Sequence, residues 1–208
     1  MTALAAFVLT MLAAVFLTPH SVNAQEAQVD TSGILEMQLG NSDAPVTVIE
    51  YASYTCPHCA RFHEGDFKDL KKDFIDTGKV KFVYREVYFD RFGLWASIVA
   101  RCGEGAENRF FGITDMLYQQ QDDWARAGDA AAIVDRLRRI GKTAGLTDQQ
   151  LDSCFSDADR AQALYALWLE RAEEDSIDST PSFIIDGRNY GPMAYEDMAE
   201  LIENALGG

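Results

Sequence analysis

The 208 residues suffice for one domain with an elaboration, and a hydrophobic fraction of 48% suffices for a buried core. The net charge of −15 argues against nucleic acids and anionic membrane surfaces as partners, because both attract basic patches. We attribute the acidity to solubility, since charge alone identifies no substrate.

Residues 1–24 have the pattern of a secretory signal peptide. The uncharged run "ALAAFVLTMLAAVFL" is shorter than the roughly 20 apolar residues that span a membrane. The small residues of "VNA" permit cleavage after Ala24. No Lys or Arg precedes the run, so an uncleaved anchor is the alternative. We expect export to the periplasm, an oxidising compartment in which disulfides persist.

The next segments predict a strand–helix–strand unit. "ILEMQLG" is typical of a short strand, and "VTVIEY" (46–51) of a strand covered on both faces. The stretch from Pro57 to Gly78 predicts one helix, since proline suits a first helical turn and glycine a helix end. Residues 79–89 predict the following strand.

The remainder predicts a helical block and then two strands and a helix. Thr147 and Gln150 have the spacing of a capping box at a helix start. Asp186-Gly187 between "FII" and "RNY" predicts a hairpin with a type I′ turn. We therefore divide the mature chain into 25–91, a helical insertion at 92–176, and 177–208.

Cys56 and Cys59 lie at the predicted strand-to-helix junction, in "TCPHCARFH". With His63 they could supply three zinc ligands, but Cys102 and Cys154 are isolated and offer no matching second pair. Covalent haem attachment needs a histidine directly after the second cysteine. Dithiol–disulfide exchange fits best, and an inert disulfide is the alternative because so short a loop constrains little.

The junction explains why the cysteine pair would be reactive. A helix N-terminus stabilises an anion through its free N–H groups and its dipole. Cys56 at the N-cap, with His58 as a further donor, should therefore have a pKa below the free value of about 8.5. A stabilised thiolate makes the disulfide a stronger oxidant. Cys59, one turn inside the helix, should be shielded and act as the resolving thiol.

The stretch "PVTVIEYASYTCPHCARFH" resembles the active-site region of DsbA-type thiol-disulfide oxidoreductases, with the CPHC motif at Cys56, Pro57, His58 and Cys59. The resemblance covers about residues 34–206. It implies a thioredoxin fold, in which helices flank a central mixed sheet and an all-helical domain is inserted. It also implies chemistry that needs no cofactor and no metal.

The resemblance gives meaning to three further residues. "STPSF" is similar to the cis-proline loop of the family, which implies that Pro181 is cis and that Thr180 offers backbone groups to a bound peptide. Glu50 stands where the family has an acid that transfers the proton of the buried thiol. A carboxylate at a strand end that reaches solvent is the alternative reading of Glu50.

One position departs from the family pattern. Family members often place a lysine near the buried acid, and here Tyr84 falls at that place, with Lys81 and Arg85 nearby. The partner of Glu50 is therefore open. We expect His63 to be a helix-face residue near the site and not a catalyst.

We expect Cys102 and Cys154 to form a structural disulfide. An even cysteine count in an exported chain is consistent with two disulfides, and nothing near either cysteine suggests a low thiol pKa. The alternative is a second redox site.

The sequence and the resemblance together predict a monomeric enzyme that donates disulfides to reduced, newly exported proteins. A membrane thiol oxidant of the DsbB or a related type would re-oxidise it. A reductase or isomerase of the same fold is one alternative, although an isomerase would usually carry an N-terminal dimerisation domain. A binding or chaperone module with a structural disulfide or zinc at CPHC is the other.

Overall fold

The computed structural model describes residues 29–207, so the predicted signal sequence lies outside the described residues. Its strands form one mixed sheet in the order β1-β3-β2-β4-β5. The strands are β1 Met37–Leu39, β2 Val46–Ala52, β3 Val80–Glu86, β4 Ser182–Ile185 and β5 Arg188–Tyr190.

The central strand β2 fixes the topology. It pairs parallel with β3 and antiparallel with β4, while β1 and β5 are antiparallel edge strands. Val46, Val48 and Glu50 are buried on this strand, and Tyr51 and Ala52 are also buried. The strand is apolar almost throughout because helices cover both faces of the sheet at its centre. The predicted central mixed sheet is confirmed.

Helices occupy the rest of the described chain. They are α1 Pro57–Glu64, α2 Asp66–Leu70, α3 Arg91–Ala100, α4 Ala106–Gln119, α5 Gln121–Ala125, α6 Ala130–Thr143, α7 Asp148–Ser156, α8 Ala158–Glu174 and α9 Tyr195–Leu206. Helices α3 to α8 lie between β3 and β4 in the chain, which confirms a helical insertion.

The prediction of one helix from Pro57 to Gly78 was wrong. Gly65 has φ −120° and ψ −97°, which interrupts the helix after Glu64. Glycine adopts this conformation at little steric cost, so α1 ends there and α2 begins at Asp66. A π-helical turn over Lys71–Ile75 continues α2.

Two local predictions are confirmed. Thr147 and Gln150 form a capping box at the start of α7. Asp186 and Gly187 both have positive φ, 47° and 73°, as a type I′ turn between β4 and β5 requires.

The insertion and the sheet share one hydrophobic core. A single cluster of buried side chains contains Tyr54 and Tyr84 from the sheet side and Phe110, Leu137 and Leu151 from the insertion. Within the insertion, a disulfide joins Cys102, just after α3, to Cys154 in α7, with a Cα–Cα distance of 5.8 Å. The disulfide therefore ties two parts of the insertion together, and the shared core packs the insertion against the sheet.

Among the described residues, no helix combines the length and the apolar character needed to cross a bilayer. Within the same residues, no group of three or more His, Cys, Asp or Glu side chains is arranged to hold a metal ion.

Candidate active site

The CPHC motif begins α1 directly after the loop that follows β2. Cys56 is the N-cap with extended φ −83° and ψ 119°, and Pro57 is the first helical residue. Proline fits there because its missing N–H would have no partner inside the helix. The N-terminal turn of α1 therefore points its free N–H groups at Cys56, as the sequence predicts.

The sulfur of Cys56 favours its thiolate form. A hydrogen bond from the Cys59 thiol is the largest cause that lowers the pKa of Cys56, and partial burial opposes it. Thr180 and the backbone N–H groups of Cys59 and His58 lower it further, and the result is a pKa of about 5. The expected contribution of the helix N-terminus is present, but the second thiol contributes more.

Cys59 behaves in the opposite way. Its side chain is fully buried, and burial raises the pKa of Cys59 far above its ordinary value. The neighbouring Cys56 sulfur and the charge of Glu50 raise it further. Both thiols are free and buried in this structure, and their pKa values are shifted in opposite directions, which favours a thiolate at Cys56 and a protonated thiol at Cys59.

The loop before β4 faces the cysteine pair. The Thr180–Pro181 peptide bond is cis, and Cys56 Sγ lies 3.5 Å from the Thr180 carbonyl oxygen. Since β4 is hydrogen-bonded to β2, the sheet brings Thr180 and Pro181 from the end of the insertion to the start of α1.

His58 is exposed, and its ring is held by Arg61 and not by Cys56. An Nη2–H of Arg61 donates to His58 Nδ1 over 2.6 Å. A guanidinium can only donate, so Nδ1 is the acceptor and the His58 proton is on Nε2. The role of His58 as a direct donor to the thiolate stays a prediction.

The open partner of Glu50 is His63. Glu50 is fully buried, so the reading of a carboxylate that reaches solvent was wrong. His63 Nε2 lies 2.8 Å from Glu50 Oε2, and only 3% of the His63 side chain is exposed. Tyr84 pairs with Glu50 across the β2–β3 register, but its hydroxyl bonds to Tyr118 at 2.6 Å.

Sequence reasoning underrated His63 because the predicted long helix did not determine which way the His63 side chain points. The apolar residues Phe62, Phe67 and Leu70 mark the buried face of the predicted helix. The sequence pattern did not show that His63 points towards the same buried region. Its position seven residues after Cys56, one further turn inside the helix than Cys59, was the available signal. The break at Gly65 and the packing of α4 bury it.

Sequence reasoning missed Gln121 altogether. This first residue of α5 donates from Nε2 to the carbonyl oxygens of Tyr54 and Cys56, at 2.7 and 3.0 Å. On the other side of the loop, Thr55 donates to the Asp90 carboxylate at 2.8 Å. A glutamine 65 residues away carries no sequence signal for this contact, which ties the motif to the insertion.

A family model described as thioredoxin matches residues 33–204. The chain belongs to the thioredoxin family. Within that family its relatives include a protein of Rickettsia bellii with the provisional name protein-disulfide oxidoreductase, 34% identical over 82% of this chain and 64% of that protein. The disulfide bond formation protein D of Bacillus subtilis is 27% identical over 82% of this chain and 77% of its own length.

Two solved structures are similar to this chain in fold and in sequence. Alpha-DsbA1 of Wolbachia pipientis is 25% identical, with a TM-score of 0.74, over 83% of this chain and 91% of that one. Oxidised BdbD of Bacillus subtilis is 25% identical, with a TM-score of 0.67, over 83% and 94%. The resemblance to DsbA-type proteins and the thioredoxin fold are confirmed. The chain spans between 60% and 64% of the length of the five Rickettsia relatives that it matches.

Proposed function

We propose that the protein is a thiol-disulfide oxidoreductase that donates the Cys56–Cys59 disulfide to reduced, newly exported proteins. The observation that carries the proposal is the geometry of the pair: Cys56 is the N-cap of α1 and lies beside the cis-proline loop, while Cys59 is fully buried. This arrangement lowers the pKa of Cys56 to about 5 and strongly raises the pKa of Cys59. A stabilised Cys56 thiolate is a good leaving group and favours the reduced form of the pair. The names of the related proteins support the same chemistry.

The reaction has two steps. A substrate thiolate attacks Cys56 Sγ, the Cys56–Cys59 bond breaks, and Cys59 leaves with the electron pair and takes a proton. A second substrate thiolate then attacks the substrate sulfur of the mixed disulfide, and Cys56 leaves as a thiolate. The substrate dithiol is oxidised to a disulfide and the CPHC pair is reduced, without a cofactor.

The surroundings of the pair suit this role. The cis-proline loop at Thr180 and Pro181 would hold the substrate as an added strand beside Cys56. Export through the segment 1–24 would bring the enzyme to its substrates in the periplasm. A membrane thiol oxidant of the DsbB or a related type would return the pair to the disulfide.

The equilibrium redox potential tests the proposal. The pair is titrated against glutathione, and thiol trapping gives the reduced fraction at each ratio. We expect a potential near about −120 mV, typical of a strongly oxidising DsbA, and a value near about −270 mV would instead indicate a reductase. A pair that does not exchange with glutathione at all would indicate a binding module with an inert disulfide.

A peptide with two reduced cysteines provides a direct assay. The oxidised protein should convert it to the disulfide stoichiometrically. The Cys59→Ser variant, with a Cys56–peptide mixed disulfide formed beforehand, should keep the peptide covalently bound until a second thiol is added. The Cys56→Ser variant is the matched control and should form no adduct under the same conditions.

A further inference from the structure

We propose that His63 is a positioning residue that holds the Glu50 carboxyl beneath the cysteine pair and exchanges its proton with solvent through a cavity between α2 and α4. The proposal deepens the proposed function and rests on it. It concerns a residue that lies outside the CPHC motif and does not touch the substrate.

A proton path is needed because the acid beneath the pair is sealed from solvent. Glu50 is fully buried, and its Oε1 has no hydrogen-bond partner among the described residues. A buried carboxylate without adequate partners costs free energy, so it is retained where it is useful. Cys59 is fully buried on the same side of α1 as His63, and the charge of Glu50 is one of the causes that raise the pKa of that thiol.

His63 is the described side chain that connects Glu50 with another region of the protein. Its Nε2 contacts Glu50 Oε2 at 2.8 Å. The Tyr118 ring stacks on the imidazole with a centroid distance of 4.3 Å and an angle of 19°, and Phe67 lies at 4.6 Å. This aromatic packing fixes the ring orientation, so the contact with Glu50 is set by the tertiary structure.

His63 also lines a cavity of about 350 Å³. Phe67 and Phe111 form apolar walls, and Lys68, Thr114 and Asp115 add polar groups. A space of this size with polar groups can hold several water molecules. His63 therefore stands between a buried carboxylate and a compartment that can supply or receive protons.

The chemistry of imidazole suits this place. One ring nitrogen can donate a proton to Glu50 while the other accepts one, so the side chain can pass a proton on. Besides Glu50, the titratable groups around His63 are Tyr84 and Tyr118 of the packed elements and Lys68, Lys71 and Asp115 at the cavity.

The proton balance follows from the two-step reaction. When Cys59 leaves as a thiolate, it takes the proton of the Glu50 carboxyl. His63 then donates its Nε2 proton to Glu50 and takes one from the cavity. In the reverse direction the Cys59 thiol gives its proton to Glu50, and the resulting thiolate attacks the mixed disulfide at Cys56. Electrons move between sulfur atoms alone.

Ring closure from a glutathione adduct isolates the step. Glutathione is attached to Cys56, and its release by Cys59 is followed by rapid acid quench across pH 5 to 9. We expect the rate of ring closure near neutral pH to be lower by about tenfold or more in His63→Ala and His63→Gln than in the unaltered protein. The reason is that general acid–base assistance is lost. The glutamine amide can still donate to Glu50 and so keeps the fold, but it does not exchange protons.

Added imidazole separates proton exchange from a merely structural role. It should restore closure of His63→Ala in a concentration-dependent way, because the cavity adjoins the vacated site. Leu169→Ala, at an exposed position of α8 outside this cavity, is the control and should close at the unaltered rate without any response to imidazole. The alkylation midpoint of Cys56 should stay at about 5 in all of these proteins.

Two results would overturn the role of His63 alone. The first is closure of His63→Gln at the unaltered rate with the unaltered pH profile. The second is slow closure of His63→Ala that imidazole does not improve. Failure of the unaltered adduct to close would overturn both the role of His63 and the proposed function.

Discussion

At the scale of single residues, the site depends on two thiols, those of Cys56 and Cys59, whose surroundings differ. Cys56 faces backbone N–H groups and the loop of Thr180, whereas Cys59 is enclosed by apolar side chains and stands near the charge of Glu50. The separation of their pKa values decides which sulfur is attacked and which one resolves.

The Cys56 thiolate has a consequence for stability that can be measured. Its pKa in the folded reduced protein, about 5, is below its ordinary value, so the stabilisation is complete above the ordinary pKa and is lost as pH falls towards 5. Between pH 5 and 8 the stability of the reduced protein, relative to reduced Cys56→Ser, should rise with pH. The slope should be at most about 1.4 kcal/mol per pH unit, the limit for one proton.

Urea unfolding of both reduced proteins at several pH values checks this. Cys59 does not contribute in this window, because its raised pKa leaves it protonated in both states. A stability difference that is constant between pH 5 and 8 would contradict the assignment of the thiolate to Cys56.

A buried ion pair gives a second residue-scale prediction. Arg101 donates to Glu86 at 2.5 and 2.7 Å and to the Leu35 carbonyl at 2.7 Å, with only 2% of the arginine side chain exposed. Arg101→Met should lower the free energy of unfolding by about 3–5 kcal/mol, because Glu86 remains buried without its partner. Arg126→Met, which removes an exposed ion pair with Asp122, should change it by less than about 1 kcal/mol.

The double variant Arg101→Met/Glu86→Leu refines the test. Removal of both charges leaves no unpartnered carboxylate, so much of the lost stability should return. A double variant as unstable as Arg101→Met would show that the packing of the guanidinium over Phe110, and not its charge, matters most.

At the scale of elements, two glycines inside helices should respond in opposite ways to alanine. A Cβ at Gly141 in α6 would lie 2.9 Å from Leu151 Cδ2 and 3.2 Å from Val99 Cγ1, whereas a Cβ at Gly112 in α4 would meet nothing within 4 Å. Gly141→Ala should destabilise the protein by about 1–2 kcal/mol through overpacking. Gly112→Ala should stabilise it by about 0.5–1 kcal/mol through helix propensity.

Chemical denaturation of the two variants provides the comparison. They carry the same substitution in helices of equal length, so the propensity change is matched and only the surroundings differ. Equal shifts in both would show that α7 can move away from α6 without loss of packing.

The disulfide between α3 and α7 makes a further prediction at this scale. It joins two cysteines that are 52 residues apart in the sequence and so restricts the unfolded chain. The free energy of unfolding of the Cys102→Ala/Cys154→Ala variant should therefore be about 2–4 kcal/mol lower. The alkylation midpoint of Cys56 should stay at about 5, because these cysteines do not contact the CPHC motif. A shifted midpoint would reveal coupling between the insertion and the active site through Gln121.

At the scale of the whole molecule, the insertion and the sheet should unfold together because they share one core. All three tryptophans, Trp95, Trp124 and Trp168, belong to the insertion, so their fluorescence reports its unfolding. Alkylation of buried Cys59 in the reduced protein reports the unfolding of the sheet side. We expect the two denaturation curves to coincide, and a gap between them would mean that the insertion folds independently.

Sequence alone determined the parts of this protein that depend on local pattern. The CPHC motif, its place at a helix start, the Asp186-Gly187 turn and the capping box of α7 each rest on residues within a few positions of one another. Backbone preferences and caps act over that range, so the printed sequence suffices to find them. The order of strands and helices followed for the same reason.

Tertiary structure alone decided which distant side chains meet. The contact of His63 with Glu50 needs β2, α1 and the packing of Tyr118 from α4, and the contact of Gln121 with the motif needs the whole insertion in place. Such contacts are selected by burial and shape, which sequence spacing does not encode, and they determine the surroundings of the CPHC motif.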